Sequence, residues 1–166
     1  SAAREFNWVA RRKKVTAEVG VGLACGTEKN SVVAACVEVH IDRKRGEIKV
    51  KEVCETFEPG PIVNPDNMES QVQGCIVMGL GGALKEAVEF EDGKILTDSF
   101  ARYHVPRFED VPKIDVHLVN NTDIPSAGGG ETPIIAIAPA IGNAVFAATG
   151  VRLRSMPMRG DLLKQA

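Results

Sequence analysis

An α+β fold, with antiparallel strands packed against two main helices, is what this sequence predicts, and three patterns carry the prediction. Residues 32–41 alternate: Val33, Ala35, Val37, Val39 and Ile41 share one face, while Glu38, His40 and Asp42 share the other. That is the two-residue period of a half-buried strand. From Pro65 the spacing becomes helical, with Met68, Val72, Cys75, Ile76, Gly79, Leu80, Ala83, Leu84 and Ala87 on the recurring positions and Met78 beside them. A second helical stretch carries Ile137, Ile141, Val145 and Ala148 on one face, with Pro139 suited to its first position and Gly150 to its stop.

Taken in order, residues 1–14 hold Phe6, Trp8 and Val9 followed by Arg11-Arg12-Lys13-Lys14. They read as a linker or the tail of an upstream helix, with Trp8 packing into a core or an interface. Residues 15–24 are rich in Val and Gly, and residues 25–31 have turn composition. After the strand at 32–41, a polar turn at 42–47 leads to a second alternation over 48–57, with Ile48 and Val50 opposed to Lys49 and Lys51. The two strands form an antiparallel meander with one wet face, on which His40 is a surface residue. Glu58-Pro59-Gly60-Pro61 ends it. Asn64 suits an N-cap and Pro65 the first helical position. Gly74, Gly79, Gly81 and Gly82 in this helix cost about 1 kcal/mol each against Ala, so a close backbone or a bulky ligand is expected beside them. Residues 89–103 read as a hairpin through Asp92-Gly93, residues 114–119 as a strand, residues 120–133 as a long loop, and the chain beyond Gly150 as an exit strand or tail.

With 166 residues, 44% hydrophobic and 25% charged, the chain fits one globular domain. A net charge of -2 gives no electrostatic case for nucleic acid or an anionic membrane, and the basic cluster at 11–14 reads as solvated. No apolar run reads as a membrane span. Cys25, Cys36, Cys54 and Cys75 form no C-x-x-C pair and have apolar neighbours. They are expected to be buried free thiols, which favours a reducing compartment, the cytoplasm ahead of the periplasm. No His or Cys cluster with metal-ligand spacing is evident. Gly-x-x-x-x-Gly-Lys-Ser/Thr and Gly-x-Ser-x-Gly are both missing, which sets aside nucleotide P-loop and acyl-transfer chemistry.

The stretch with chemical potential is Ser126-Ala127-Gly128-Gly129-Gly130-Glu131-Thr132-Pro133. Three glycines permit positive φ and close approach, and one carboxylate stands at the end of the turn. Beside Ile134, Ile135 and Ile137 that carboxylate has apolar walls that would move its pKa towards working pH, as a general base requires; an exposed loop Glu fits the same residues. The backbone N–H groups of 126–130 suit an anion-binding nest or plain turn chemistry. Gln71 can donate and accept, so it suits either a heterocycle's edge or the solvent.

The glycine turn with Glu131, Val63-Asn64-Pro65 leading into Glu69-Ser70-Gln71-Val72-Gln73-Gly74, and Gly79-Leu80-Gly81-Gly82-Ala83-Leu84 occur in one order. In this the chain resembles the molybdopterin-binding large subunit of the xanthine dehydrogenase/aldehyde oxidase family, isoquinoline 1-oxidoreductase β-subunit type. The resemblance implies that residues 15–166 are the C-terminal part of a molybdopterin-binding domain in a much longer subunit. It implies Glu131 as the base, with Gln71, Ser126, Ala127, Gly128, Gly129 and Gly130 beside the cofactor. That cofactor is molybdenum–molybdopterin, in the cytosine dinucleotide form, held through its dithiolene and not by protein ligands. Further implied partners are the upstream part of the same subunit, a small subunit carrying iron–sulfur clusters, and a small-molecule substrate. The implied reaction hydroxylates an aldehyde or N-heterocycle with oxygen from water. Gly129 and Thr132 stand where relatives more often have Val and Pro, a change that alters loop rigidity. The family's upstream motifs are not in this chain, so alone it is expected to be inactive. The competing class is a non-catalytic binding or assembly module that keeps the fold.

Overall fold

The computed structural model describes residues 1–164, so the last two residues of the 15–166 segment lie outside the described residues. Its elements are α1 (Ala2–Glu5), α2 (Trp8–Arg12), β1 (Val19–Glu28), β2 (Ser31–Asp42), β3 (Glu47–Glu58), α3 (Pro65–Leu84), β4 (Phe90–Glu91), β5 (Lys94–Ile95), β6 (Lys113–Leu118) and α4 (Ile137–Thr149). The fold is α+β, as the sequence predicts: a sheet in the order β1-β2-β3-β6 with α3 and α4 packed on one face. The first three strands are antiparallel, but β6 lies parallel to β3. The chain leaves β3, crosses the sheet as α3 and returns in the same direction, the connection that a parallel pair requires.

The β1–β2 hairpin is longer than its composition suggests. Residues 25–28 are strand, and the turn is only Lys29-Asn30, both in the left-handed region at φ 50° and 65°. Two such residues match the twist of an antiparallel pair. Cys25, on this edge strand, is exposed, contrary to expectation; Cys36, Cys54 and Cys75 are buried.

α4 lies directly on the backbone of β1. A Cβ on Gly20 would sit 2.0 Å from the Ala144 carbonyl oxygen, and one on Gly22 2.0 Å from that of Ala140. The helix starts two residues before Pro139, which occupies its third position, where the missing N–H has no intrahelical partner to lose. Gly150, at φ 73°, stops it. A 3-10 turn, Thr132–Ala136, runs straight into α4, and by length and composition Thr132–Thr149 would pass as a membrane span, which the sequence reading missed. Here its apolar face, Ile137, Ala140, Ile141, Ala144 and Val145, is buried against the sheet and α3.

α3 begins as expected, with the Asn64 side chain accepting from Asn67 N–H at 3.0 Å and Pro65 first. Its glycines divide. A Cβ on Gly79 would press on Ile137 at 2.9 Å, so Gly79 lets the two helices approach, whereas Gly74 and Gly82 face open space. The expected hairpin at 89–103 shrinks to two-residue strands, and residues 151–164 form no strand but return Leu153, Met158 and Leu163 to the core.

One irregularity decides what β3 presents. Val37 pairs with Val53 and Glu38 with Glu52, but Val39 pairs with Val50, leaving Lys51 as an extra residue. Ile48 and Val50 face the helices before this bulge; Val53, Glu55 and Phe57 do so after it, by their pairing with Val37, Ala35 and Val33. Cys54 and Thr56 therefore turn to the opposite face. There residues 1–14 form no free segment: α1 and α2 pack so that Ala2 and Phe6 cluster with Val21, Cys36 and Cys54. Arg11 secures α2 by bonding Glu38 and Glu52 at 3.0 and 2.9 Å, its guanidinium 4.4 Å from the Phe6 ring centre.

Candidate functional site

The glycine loop is held from two sides. On one side, α3 carries Gln71, whose Nε2 donates to the Gly130 carbonyl oxygen at 2.8 Å, with Cys75 Sγ 3.7 Å from the same oxygen. Gly129 lies against Met68, where a Cβ would come within 2.4 Å of the sulfur. Behind the loop, Ala127 N–H donates to the Pro59 carbonyl at 2.8 Å, and Gly60, at φ 83°, lets Pro125 pass close over it.

The other side is the tip of the β1–β2 hairpin. Lys29 pairs with Glu131 and lies 3.6 Å from Glu28. Thr132 is buried and its hydroxyl donates to Glu28 Oε2 at 3.0 Å, while Ser31 Oγ lies 3.1 Å from Thr132 Oγ1 and 2.6 Å from the Glu28 carbonyl oxygen. A two-residue turn at the end of a long hairpin thus fixes the residue after Glu131.

Glu131 itself is open to solvent, with its side chain 63% exposed. The expected apolar walls do not govern it: Ile137 is buried between the helices and Ile135 is partly exposed. The hydrogen bond and charge of Lys29 hold the Glu131 carboxyl below the ordinary carboxylate value, and Lys29 is raised in return. The shift is opposite in direction to the one expected from the isoleucines, because a cation in contact outweighs desolvation that is nearly absent here.

The other expected residues fall as follows. Gln71 reaches the loop, so one donor of its amide is already used there. Ala127 has given its N–H to Pro59, and Gly128 N–H lies 3.4 Å from Ser126 Oγ, which is turn chemistry. Gly128 and Gly130 have open space where a side chain would stand.

Two features were not read from the sequence. Lys29 is one, although Lys29-Asn30 could have been taken as a hairpin turn. The other is Glu55, fully buried beneath α3, with neither carboxyl oxygen hydrogen-bonded among the described residues. Burial pushes its pKa up to about 9, and its charge would be felt at Cys75, below the loop. Nor was a set of metal-ligating side chains expected, yet the fold brings Cys54, Asp115 and His117 together on the opposite face of the sheet.

The chain itself belongs to a known class. Residues 26–112, slightly more than half of the chain, match the model of the molybdopterin cofactor-binding domain, and the chain belongs to that family. It is 35% identical over 162 residues to isoquinoline 1-oxidoreductase subunit beta of Brevundimonas diminuta, which covers 98% of this chain and 21% of that subunit. With the aldehyde oxidoreductase molybdenum-binding subunit of Escherichia coli K12 it shares 36% over 134 residues, 76% of this chain and 18% of the relative. Among solved structures, the aldehyde oxidoreductase of Desulfovibrio gigas superposes with a TM-score of 0.71 at 28% identity, over 82% of this chain and 15% of that one. The chain spans between about a tenth and a fifth of the length of the curated relatives it matches. These relatives are oxidoreductases.

Proposed function

We propose that this chain is the C-terminal part of a molybdenum hydroxylase large subunit that oxidises an aldehyde or N-heterocycle with oxygen from water. Glu131 is its base, and Gln71 and the loop at 126–130 form part of the pterin wall. The observation that carries this reading is a single ionised carboxylate, displayed at the end of a glycine turn whose flanks are open and whose backbone is clamped by Gln71 and the Thr132 cluster.

The residues present fit the implied group. Gly128 and Gly130 leave room for a large flat ligand against the backbone, and among the described residues Gln71 Oε1 accepts no hydrogen bond, leaving an acceptor for a ring N–H. Bound there, in the cytosine dinucleotide form, the molybdenum cofactor supplies the two-electron redox chemistry that no side chain can, with iron–sulfur clusters of a partner subunit as the electron exit. Glu131 contributes a carboxylate that Lys29 keeps deprotonated, with Oε1 held by the Lys29 ammonium and Oε2 left to accept a proton. Gln71 fixes the Gly130 carbonyl, and with it the direction from which Glu131 approaches. Packing of the upstream part of the subunit over the loop would exclude water and strengthen Glu131 as a base.

The exposure of Glu131 favours a second reading, a non-catalytic binding or assembly module. Molybdenum and pterin analysis of the full-length gene product, wild type beside Glu131→Gln, separates the two. The enzyme reading expects molybdenum in both proteins and a loss of about 10²-fold or more in hydroxylation in the variant alone. A full-length product without molybdenum, even with its partner subunits present, overturns it in favour of the module.

A further inference from the structure

The geometry points to a second, independent cation site on the far face of the sheet: Cys54, Asp115 and His117 form a three-ligand site for a zinc-class divalent metal. Its origin is the pairing of β3 with β6. Cys54 lies opposite Asp115 and Thr56 opposite His117, and residues two apart on a strand point the same way. Two neighbours from each strand therefore make a four-cornered patch, on the face to which the bulge at Lys51 turns Cys54.

Three corners of that patch hold donor atoms. Cys54 Sγ, an Asp115 carboxylate oxygen and a His117 ring nitrogen lie within 4.8 Å of one another. The fourth corner is spoken for, because Thr56 Oγ1 accepts from Ser1 Oγ at 3.0 Å. Thiolate, imidazole and carboxylate are the ligand types zinc takes. Tetrahedral bonding at the usual zinc distances puts such atoms roughly 3.3–3.6 Å apart, so closing the set needs side-chain movements of about 1 Å.

The three donors are also poorly used. His117 Nε2 is buried with no hydrogen-bond partner among the described residues and stands 3.6 Å from Asp115 Oδ2, too long for a hydrogen bond. Among the described residues, Cys54 Sγ makes one hydrogen-bond contact, donating at 3.8 Å to the Ala2 carbonyl oxygen. A buried ring nitrogen left unpaired costs free energy that a metal bond would recover. The surroundings carry the right charge: Asp115, Glu5 and Glu52 all act on Cys54, opposed by Arg11, which is itself paired with Glu38 and Glu52. Asp115 and His117 are partly open to solvent, which gives an ion a way in, while Cys54 closes the back. Three protein ligands leave one position for water or a fourth group, which makes the site exchangeable.

None of this rests on the molybdenum reading, and the test is separate from it. The full chain, stripped with chelator and kept reduced, is titrated with Zn²⁺ against a chromophoric competitor, and with Co²⁺ to record its spectrum. The expected result is one equivalent bound with a Kd well below about 10 μM, and a Co²⁺ spectrum with thiolate charge transfer and tetrahedral d–d bands. Cys54→Ser and His117→Gln should each weaken binding by about 100-fold and Asp115→Asn by about tenfold, whereas Cys25→Ser, altering the exposed thiol, should leave it unchanged. The Co²⁺ spectrum of the wild type gives an answer even where a variant misfolds. Absence of the thiolate band, or binding that survives both Cys54→Ser and His117→Gln, overturns the site and leaves a buried thiol beside a surface Asp–His pair.

Discussion

Replacing Glu55 with Gln should stabilise this protein in a manner that depends on pH. Glu55 is fully buried, its oxygens find no hydrogen bond among the described residues, and burial alone raises its pKa from 4.5 to about 9. In the folded state the carboxyl keeps its proton; in the unfolded state it loses it above 4.5. A group raised on folding contributes fully below its unfolded pKa, and that contribution falls away as pH climbs towards the folded value. Across the interval from 4.5 to pH 7, at about 1.4 kcal/mol per pH unit, the loss reaches about 3 kcal/mol. Gln is neutral at every pH and nearly the same shape, so it escapes this loss while keeping the unpaired polar atoms. Urea unfolding of wild type and Glu55→Gln at matched pH values is the assay. The two should be about equally stable near pH 4 and differ by about 3 kcal/mol at pH 7, a melting difference on the order of 10 °C for a chain of this length. Parallel stability curves from about pH 4 to about pH 8 would refute the reasoning, since the carboxyl would then titrate alike in both states.

Two further outcomes follow from contacts already described. In the assembled enzyme, Lys29→Met should move the acid limb of the kcat/KM profile to higher pH, because Lys29 is what holds Glu131 below its ordinary value; an unmoved limb would mean that Lys29 does not face Glu131 in the working site. Gly22→Ala should cost about 3 kcal/mol or more by forcing a methyl group into the α4 backbone at Ala140 and Ala144, whereas Gly74→Ala, on an open helix position, should add about 0.5–1 kcal/mol, both read from urea midpoints. A Gly22→Ala protein as stable as the wild type would show that α4 does not rest on β1 as tightly as described.

The elements whose residues obey one period throughout were legible in the sequence. The strand at 32–41 keeps its alternation unbroken, and its apolar face is the centre of the core. The start of α3 could be read from Asn64-Pro65 because capping is a local interaction. What escaped was set by partners distant in the chain. β6 is parallel because α3 carries the chain over the sheet, which no residue of β6 encodes. Glu131 was legible as a displayed carboxylate, but the sign of its pKa shift depends on Lys29, 102 residues away. Glu55 and Cys54 exchanged faces because the bulge is fixed by pairing with β2, whereas the sequence of β3 alone shows only alternation.

That extra residue at Lys51 has a bearing on how such a strand arises. In an evenly alternating β3, Cys54 would point at the helices and Glu55 at the opposite face of the sheet. Inserting a single codon upstream inverts both assignments without altering either side chain. One mutational event thereby converts an ordinary sheet into one that carries an acid within its core and a thiol beside Asp115 and His117 on its back. In a β-sheet, then, the genetic distance between an inert face and one able to do chemistry can be a change in residue count and not in residue kind.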